Sequence, residues 1–184
     1  PWHVLEGGCG PGRRIRHMPE LLGARAGRIS GTDYNAATID WCRAKLPEIG
    51  FALNGLAPPL PIADASVDVV YNFSVFTHLS EAMHHAWTAE LRRVLRPGGM
   101  LIATTHGDHY RYLLTRQAEA DAYARGEIVT QKRFAEGKKW YFALHPPEWV
   151  RRILLAGFER VAMMRPDPAA GMAQDVWIGF KPHG

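Results

Sequence analysis

Short apolar runs alternate with amphipathic segments along the first 105 residues of the chain. The run at 67–73 is apolar at nearly every position, as in a strand that is covered on both faces. Asn35 and Ser80 are predicted N-caps, because they stand just before segments with helical spacing. Such alternation predicts βαβ units in a parallel sheet. The predicted strands lie near 4–6, 28–33, 51–54, 67–73 and 100–105, and the predicted helices at 13–22, 35–46 and 81–95.

The pattern changes in the second half of the chain. Residues 107–139 are polar and helix-forming and contain no strong strand signal. A helix is predicted to begin at the proline pair 146–147 and to end at Gly157, because proline favours the first helical turn and glycine follows the last. Two strands at 158–164 and 175–180 have no helix between them, so we expect antiparallel neighbours.

Composition indicates an ordinary globular chain with room for one core. Its 184 residues are 47% hydrophobic and 22% charged, with a formal charge of +4 and a pI of about 9.3. We expect a cytoplasmic protein, because no apolar run reaches membrane-spanning length and no signal peptide is evident. Cys9 and Cys42 indicate neither a disulfide framework nor a metal site. Because a strand follows Pro1 almost at once, we expect further residues before it in the natural protein.

A glycine-rich turn follows the first predicted strand. Four glycines fall within the six positions 7–12, where the lack of side chains lets a ligand approach the backbone. Asp33 ends the next strand, about twenty residues on, where an acid accepts hydrogen bonds from both ribose hydroxyls. Turn and acid together predict a nucleotide-binding crevice in an open α/β sheet, although the G-G-x-G-x-G spacing differs from the dinucleotide fingerprint.

Three blocks of the chain resemble motifs of class I S-adenosylmethionine-dependent methyltransferases that act on small molecules. Residues 4–12 resemble motif I, residues 60–70 the approach to strand four, and residues 91–99 the approach to strand five. The blocks occur in the family's order and spacing, and the resemblance covers residues 2–105. It implies a single α/β, Rossmann-like domain over 1–184. Its seven-stranded sheet would have the order 3-2-1-4-5-7-6, with strand 7 antiparallel and helices on both faces.

The resemblance implies a site for S-adenosylmethionine, whose product is S-adenosylhomocysteine. The methionine part would lie on the glycine turn with Glu6 near its amino group, Asp33 would hold the ribose, and Tyr34 would pack on the adenine. Asn54 departs from the acid that many members carry, but its carbonyl oxygen accepts a bond from the exocyclic amine. The implied cofactor residues are Glu6, Gly7, Gly8, Gly10, Asp33, Tyr34, Asn54, Gly55, Leu56, Asn72, Phe73 and Ser74, the last three near the reactive methyl group.

A hydroxyl acceptor also needs a general base, and candidates follow strands four and five. His78 and His106 are predicted as catalytic residues, with Asp108 as a further candidate. Helix packing and contact with the methionine carboxylate are alternative roles for His78. His84 and His85 fall in the middle of a helix and are predicted to lie at the surface.

Residues 107–145 are predicted to form an insertion or lid at the acceptor site. Its aromatic residues are candidates for an acceptor pocket and its arginines for contact with an anionic group; an ordinary core and a solvated helix are the alternatives. These residues are Tyr110, Tyr112, Trp140, Tyr141, Phe142, Arg111, Arg116 and Arg133. The predicted acceptor is a small molecule with an oxygen or nitrogen nucleophile, such as a sugar or natural-product hydroxyl.

Other functions remain open on the sequence alone. An RNA methyltransferase is less favoured, because residues 72–75 lack the Asx-Pro-Pro-aromatic motif of enzymes that methylate base amines. A nicotinamide-dependent dehydrogenase is disfavoured by the glycine spacing and by the terminal strand pair. A domain that binds the cofactor without transferring a methyl group would carry the same turn and Asp33. No membrane partner is predicted, and the oligomeric state is open.

Overall fold

The computed structural model describes residues 1–131, 134–138 and 140–183. No helix in these ranges is long and apolar enough to cross a membrane. The strands are β1 (Trp2–Gly7), β2 (Ala26–Asp33), β3 (Gly50–Leu53), β4 (Val67–Asn72), β5 (Leu95–Thr105), β6 (Val129–Gln131), β7 (Phe142–Leu144), β8 (Glu159–Met164) and β9 (Asp175–Phe180). The α-helices are α1 (Met18–Leu22), α2 (Ala36–Lys45), α3 (Glu81–Val94), α4 (Gln117–Ala124) and α5 (Pro147–Trp149).

Seven of these strands form one sheet in the order β3-β2-β1-β4-β5-β9-β8. The pairs from β3 to β5 are parallel, whereas β9 is antiparallel to both β5 and β8. Within this sheet β8 is the sixth strand along the chain and β9 the seventh, so the predicted order 3-2-1-4-5-7-6 is confirmed. The carboxyl ends of β1, β2 and β4 consequently meet at one edge, where open α/β sheets bind their ligands.

Helices α2 and α3 pack against the sheet through two separate buried clusters. One cluster joins Ile39 and Cys42 of α2 to Ile29 of β2 and Phe51 of β3. Burial of this apolar surface, at about 25 cal/mol per Å², stabilises the strand ends that carry the candidate site. The larger cluster joins α3, α5 and β9 to the central strands and includes Leu5, Val70, Leu91, Leu101, Trp149 and Trp177.

The two helices beside the site begin at their predicted caps. The Asn35 side chain accepts a hydrogen bond from Thr38 N at 3.2 Å, and the Ser80 side chain accepts one from Met83 N at 3.4 Å. Each cap satisfies an amide group that has no partner within the first helical turn. Both predicted helix starts are confirmed.

Several predicted boundaries are wrong by a few residues. The segment 13–22 is not one helix, because a 3₁₀ turn at Ile15–His17 precedes α1 and Pro19 lies in the first turn of α1, where its missing N–H is tolerated. Strand β5 begins at Leu95 rather than at residue 100, because residues 97–99 form a bulge in its pairing with β4. The helix predicted to end at 157 consists of α5 and a π-helical turn at Val150–Leu154.

The 107–145 segment contains strands that its sequence did not indicate. Strands β6 and β7 pair antiparallel, with Val129 opposite Leu144, and both residues pack on Tyr123 of α4 in a small cluster. Strands of three residues carry too little alternation to be predicted. Residues 107–139, which carry no strong strand signal, therefore contain the short strand β6, and β7 follows beyond that range.

His84 is fully buried, so the prediction that it lies at the surface is wrong. Its ring packs against Phe76 and Trp149 and shares a hydrogen bond with the ring of His145. These partners come from distant parts of the chain, which the helical position of His84 does not indicate. His85, one position on, is exposed as predicted.

Candidate functional site

A cavity of about 190 Å³ opens at the carboxyl ends of β1, β2 and β4. Of the two predicted catalytic histidines, His78 lines this cavity and His106 does not. Glu6 lies behind Gly7 in β1 and Gly10 lies farther along the turn, and neither belongs to the cavity wall. The other ten predicted cofactor residues line it: Gly7, Gly8, Asp33, Tyr34, Asn54, Gly55, Leu56, Asn72, Phe73 and Ser74.

The glycine turn borders the cavity with backbone rather than with side chains. Gly8 has a φ of +68°, in the left-handed region, and a Cβ there would lie 2.5 Å from Cγ2 of Val75. A Cβ on Gly7 would collide with the side-chain amide of Asn72. Both positions therefore require glycine, and the backbone of the turn is open to close approach by a ligand.

Asp33 ties the glycine turn to the start of α2. Its Oδ2 accepts a hydrogen bond from Gly10 N at 3.0 Å, and its Oδ1 accepts one from Asn35 N at 2.9 Å. Each carboxylate oxygen has a further lone pair. The group can therefore hold the turn and still accept hydrogen bonds from ligand hydroxyls, such as those of a ribose.

Three buried polar atoms beside the cavity have no hydrogen-bond partner among the described residues. They are Thr32 Oγ1, Asn54 Oδ1 and Asn72 Oδ1. Leaving a buried polar atom unpaired costs about 1–3 kcal/mol, so these oxygens are suited to ligand donors. The two amide oxygens fit the exocyclic amine and the ammonium group of S-adenosylmethionine, the cofactor that the resemblance implies.

Glu6 is a buried carboxyl group directly behind the turn. Its Oε2 accepts a hydrogen bond from the Tyr71 hydroxyl at 3.2 Å. Burial raises the pKa of Glu6 to about 7, and the Tyr71 hydroxyl and the Arg14 guanidinium oppose this rise. Arg14 also lies 4.7 Å from the ring centroid of Phe73, which lines the cavity. A cation placed near Glu6 would shift the group toward its ionised form.

The loop before β4 is fastened to α3 by side chains whose role was not predicted. Trp87 Nε1 donates to the Leu56 carbonyl at 3.0 Å, and Glu90 Oε1 accepts from Leu60 N at 2.6 Å. Arg93 pairs with Glu90 at 2.6 Å. Trp87 and Leu60 also line the cavity. The place of Trp87 in the cavity wall depends on a contact across 31 positions, which its helical position does not indicate.

Residues 134–138 of the 107–145 segment reach back to the cavity. The Tyr34 hydroxyl donates to the Gly137 carbonyl at 2.9 Å, and Gly137 N donates to the His78 carbonyl at 2.8 Å. Lys138 Nζ lies 5.3 Å from the centroid of the Tyr34 ring. Because Gly137 itself lines the cavity, this segment forms part of the cavity wall.

His78 combines a position in the cavity wall with a defined tautomer. Its Nδ1 lies 2.8 Å from the Tyr141 carbonyl oxygen. A carbonyl only accepts, so Nδ1 carries the proton of the neutral ring and Nε2 carries the lone pair. A neutral imidazole that is oriented in this way is equipped to act as a general base.

His106 lies beside the cavity rather than on its wall. Its ring centroid is 4.0 Å from that of Tyr110 and 6.5 Å from that of His78. Burial lowers the pKa of His106 to about 4, the nearby His78 lowers it further, and the Ala143 carbonyl opposes the shift. Gln174 Nε2 lies 3.3 Å from His106 Nε2. His106 is therefore a neutral ring at neutral pH.

The aromatic candidates of the 107–145 segment differ in exposure. Tyr141 is buried and Tyr110 and Phe142 are half-buried, whereas Tyr112 and Trp140 are 70% and 57% exposed. None of these side chains belongs to the wall of the cavity described above. The structure therefore does not bring them together at one pocket.

The arginine candidates of the same segment are also separated. Arg111 lies 5.7 Å from the ring centroid of Tyr123, whose hydroxyl donates to Asp108 Oδ1 at 3.1 Å. Arg116 borders a separate groove within the segment. Arg133 lies outside the described residues.

Comparison with known proteins agrees with this geometry. The Methyltransferase domain family profile matches residues 5–103, which include the glycine turn, Asp33 and His78. A probable S-adenosylmethionine-dependent methyltransferase of Mycolicibacterium smegmatis is 42% identical over 55% of this chain and 37% of that protein. A probable S-adenosylmethionine-dependent methyltransferase of Mycobacterium tuberculosis is 36% identical over 55% of this chain and 35% of that protein. A fatty-acid O-methyltransferase of M. smegmatis is 32% identical over 65% of this chain and 42% of that protein. The chain spans well under half the length of these relatives.

Solved structures share the fold. An S-adenosylmethionine-dependent methyltransferase of Methanosarcina mazei has a TM-score of 0.69 at 18% identity, covering 100% of this chain and 93% of that one. The glycopeptide N-methyltransferase MtfA has a TM-score of 0.67 at 16% identity, covering 99% and 90%. At such identities the likeness concerns the fold alone. Because the family profile matches more than half of the chain and the sheet order and glycine turn agree with it, the chain belongs to the class I S-adenosylmethionine-dependent methyltransferases.

Proposed function

We propose that the protein transfers the methyl group of S-adenosylmethionine to an oxygen or nitrogen atom of a small molecule. The proposal is supported by a single cavity that is lined both by Asp33, at the end of β2, and by His78, after β4. The first side chain suits a ribose, and the second can accept a proton. S-adenosylmethionine supplies an already activated methyl group when bound, so the protein needs to align the acceptor and exclude water.

The donor half of the site would hold the cofactor through the glycine turn and the ends of three strands. Asp33 would accept bonds from the ribose hydroxyls, and Asn54 would accept one from the adenine amine. Glu6 and Asn72 would face the methionine ammonium group. The unpaired buried oxygens of Asn54 and Asn72 support these roles, because ligand donors would remove the cost of leaving them unsatisfied.

His78 favours an acceptor that must lose a proton. A hydroxyl group needs a base, whereas a carboxyl group is already ionised at neutral pH. We therefore favour a sugar or natural-product hydroxyl over a carboxyl group. The fatty-acid O-methyltransferase among the relatives makes the carboxyl class the alternative to be tested.

We propose that the 107–145 segment forms the lid of the acceptor site, within a single methyltransferase domain. Gly137 supports this role because it lines the cavity and its carbonyl accepts a hydrogen bond from the Tyr34 hydroxyl. The Tyr141 carbonyl supports it as well, since it sets the tautomer of His78. Specificity for the acceptor would therefore come from this segment and not from the glycine turn.

Replacing His78 by glutamine should lower kcat by about 100-fold or more, because general-base catalysis typically contributes that much. Glutamine keeps an N–H donor for the Tyr141 carbonyl but offers no basic nitrogen. Affinity for S-adenosylhomocysteine should stay within about threefold, because the donor half keeps its contacts. Initial rates and calorimetry measure the two effects, with the exposed His85→Gln as the control. An unchanged kcat would assign His78 to packing and favour a carboxyl acceptor.

Cofactor binding should strengthen with rising pH because of Glu6. Its pKa, raised to about 7 by burial, means that the neutral carboxyl must lose its proton to pair with the methionine ammonium group. Between pH 6 and pH 7 the affinity for S-adenosylhomocysteine should rise about fivefold, following the ionised fraction. Calorimetry at several pH values measures this rise. A Glu6→Gln variant that keeps the same pH dependence would contradict the role of Glu6.

Two measurements on the full-length protein test the proposed function. Calorimetry with S-adenosylmethionine and S-adenosylhomocysteine reports donor binding. Transfer of labelled methyl groups to a panel of hydroxyl, amine and carboxyl compounds, with total RNA included, reports the acceptor class. We expect binding of both ligands and label in a hydroxyl or amine compound. Label in RNA alone would indicate an RNA methyltransferase, and binding without any transfer would indicate a domain that only binds the cofactor.

A further inference from the structure

Gln174 connects three elements at the ligand-binding edge of the sheet. It stands just before β9, and its side-chain amide contacts Ser74 after β4, Thr104 in β5 and His106 after β5. Ser74 Oγ donates to Gln174 Oε1 at 3.1 Å, and Thr104 Oγ1 donates to the same oxygen at 2.5 Å. Gln174 Nε2 lies 3.3 Å from His106 Nε2. One side chain thus joins the cavity wall to a buried histidine.

Ser74 has a backbone conformation that serine rarely adopts. Its φ is +57°, in the left-handed region, which costs on the order of 1 kcal/mol for a residue with a Cβ. Ser74 N donates to Thr104 Oγ1 at 2.8 Å, and its hydroxyl is bonded to Gln174. Because Ser74 lines the cavity, these bonds shape the wall of the proposed site.

The Gln174 amide turns its oxygen toward the two hydroxyls, which donate to it. Its NH₂ group therefore faces His106. An NH₂ group only donates, so His106 Nε2 must accept and the proton of the neutral ring must sit on Nδ1. A protonated ring would place N–H against N–H at this contact.

The surroundings of His106 offer no negative charge to stabilise a protonated ring. Among the described residues, the rings of His78, Tyr110 and Phe142 face the ring, and the Ala143 carbonyl favours its protonated form. Asp175, next to Gln174 in β9, lies against Gly107 instead. The low pKa of His106, which burial lowers to about 4, agrees with this environment.

We propose that Gln174 is a positioning residue for methyl transfer, which holds Ser74 in the cavity wall and fixes the proton of the neutral His106 ring on Nδ1. Its effect on turnover rests on the proposed function, whereas its effect on His106 does not. Gln174 acts through Ser74 and His106, since its amide contacts these two residues and Thr104.

Two substitutions in the full-length protein separate the two effects. A carboxylate accepts bonds from both hydroxyls and from a His106 Nε2–H, so Gln174→Glu should raise the proton affinity of His106 at least about tenfold and move its proton to Nε2. Gln174→Met keeps a similar side-chain length but removes the hydrogen bonds to Ser74, Thr104 and His106. It should weaken S-adenosylhomocysteine binding about tenfold and lower kcat/KM while His106 stays neutral. Met164→Glu, at an exposed position of β8, adds the same charge as a control.

Nitrogen-15 NMR of ring-labelled histidine reads the tautomer and proton affinity of His106, with His106→Gln to assign the signal. Calorimetry with S-adenosylhomocysteine measures ligand affinity, which reports whether Ser74 keeps its place in the cavity wall. The inference is overturned if Gln174→Glu leaves the His106 signal as in the wild type, or if Gln174→Met binds the ligand as the wild type does. If the wild-type protein does not bind S-adenosylhomocysteine, the proposed function fails instead, and the NMR result still decides how Gln174 acts on His106.

Discussion

Replacing Asp33 by alanine should weaken S-adenosylhomocysteine binding by about 100-fold or more. Two charge-assisted bonds to the ribose would be lost, each contributing about 1.5–3 kcal/mol. The amide groups of Gly10 and Asn35, now held at 3.0 and 2.9 Å, would lose their acceptor as well. The glycine turn and the start of α2 would then lack their common anchor. Isothermal calorimetry measures the loss directly.

A matched control lies on the neighbouring helix. Asp40 is an exposed residue of α2 that pairs with Arg43 at 3.4 Å and does not line the cavity. Asp40→Ala should therefore leave the affinity within about twofold. Asp33→Asn, which keeps the shape and removes the charge, should show an intermediate loss. Equal affinities for Asp33→Ala and Asp40→Ala would show that Asp33 does not hold the ribose.

Acidification from pH 7 to pH 5 should destabilise the wild type by about 4 kcal/mol relative to a double variant with His84→Leu and His145→Leu. His84 Nδ1 donates to the Ser80 carbonyl at 2.6 Å, so His84 Nε2 accepts from His145 Nε2 at 2.8 Å. Both rings are fully buried and neutral. Burial lowers the pKa of His84 to about 4 and that of His145 well below its usual value.

The direction of this effect follows from where protons bind. Unfolded histidines titrate near pH 6.5, so below this pH the unfolded state gains protons that the folded pair does not take up. The contribution of the pair is complete above pH 6.5 and is lost as the pH falls toward 4. Burial raises the pKa of Glu6 to about 7 and that of Asp175 to about 6, which acts in the opposite direction. The contributions of these two acids to the pH dependence are the same in the double variant, so they cancel in the comparison.

Urea unfolding at pH 7, 6 and 5, followed by tryptophan fluorescence, gives the free energies. His85→Leu is the matched control, because His85 lies on the same helix and is exposed. It should keep the pH dependence of the wild type. If the double variant also keeps that dependence, the buried rings are not a neutral pair in the folded protein.

The parts of the fold that the sequence predicted are those with local signals. The glycine turn, the acid at Asp33 and the apolar run of β4 each lie within one short stretch, and their alternation with helices implies a parallel sheet. The caps at Asn35 and Ser80 are equally local. Together with the resemblance to a known family, these signals placed the cavity at the correct edge of the sheet.

The parts that escaped prediction depend on contacts between distant residues. Tyr34 meets Gly137 across 103 positions, and Gln174 meets Ser74 across 100. No sequence pattern around Gly137 or Gln174 indicates such a contact. His84 was misplaced for the same reason, since its buried partner, His145, comes from the segment after β7. Tertiary packing, and not local spacing, decides the roles of these residues.

A crystal structure of the full-length protein with S-adenosylhomocysteine tests the central claim most directly. We expect the ribose hydroxyls within hydrogen-bond distance of the Asp33 carboxylate and the adenine amine at Asn54 Oδ1. The thioether sulfur should face His78 and Ser74, with the acceptor side open toward the 107–145 segment. A ligand bound elsewhere, or one whose ribose lies away from Asp33, would contradict the assignment of this cavity as the methyl-donor site.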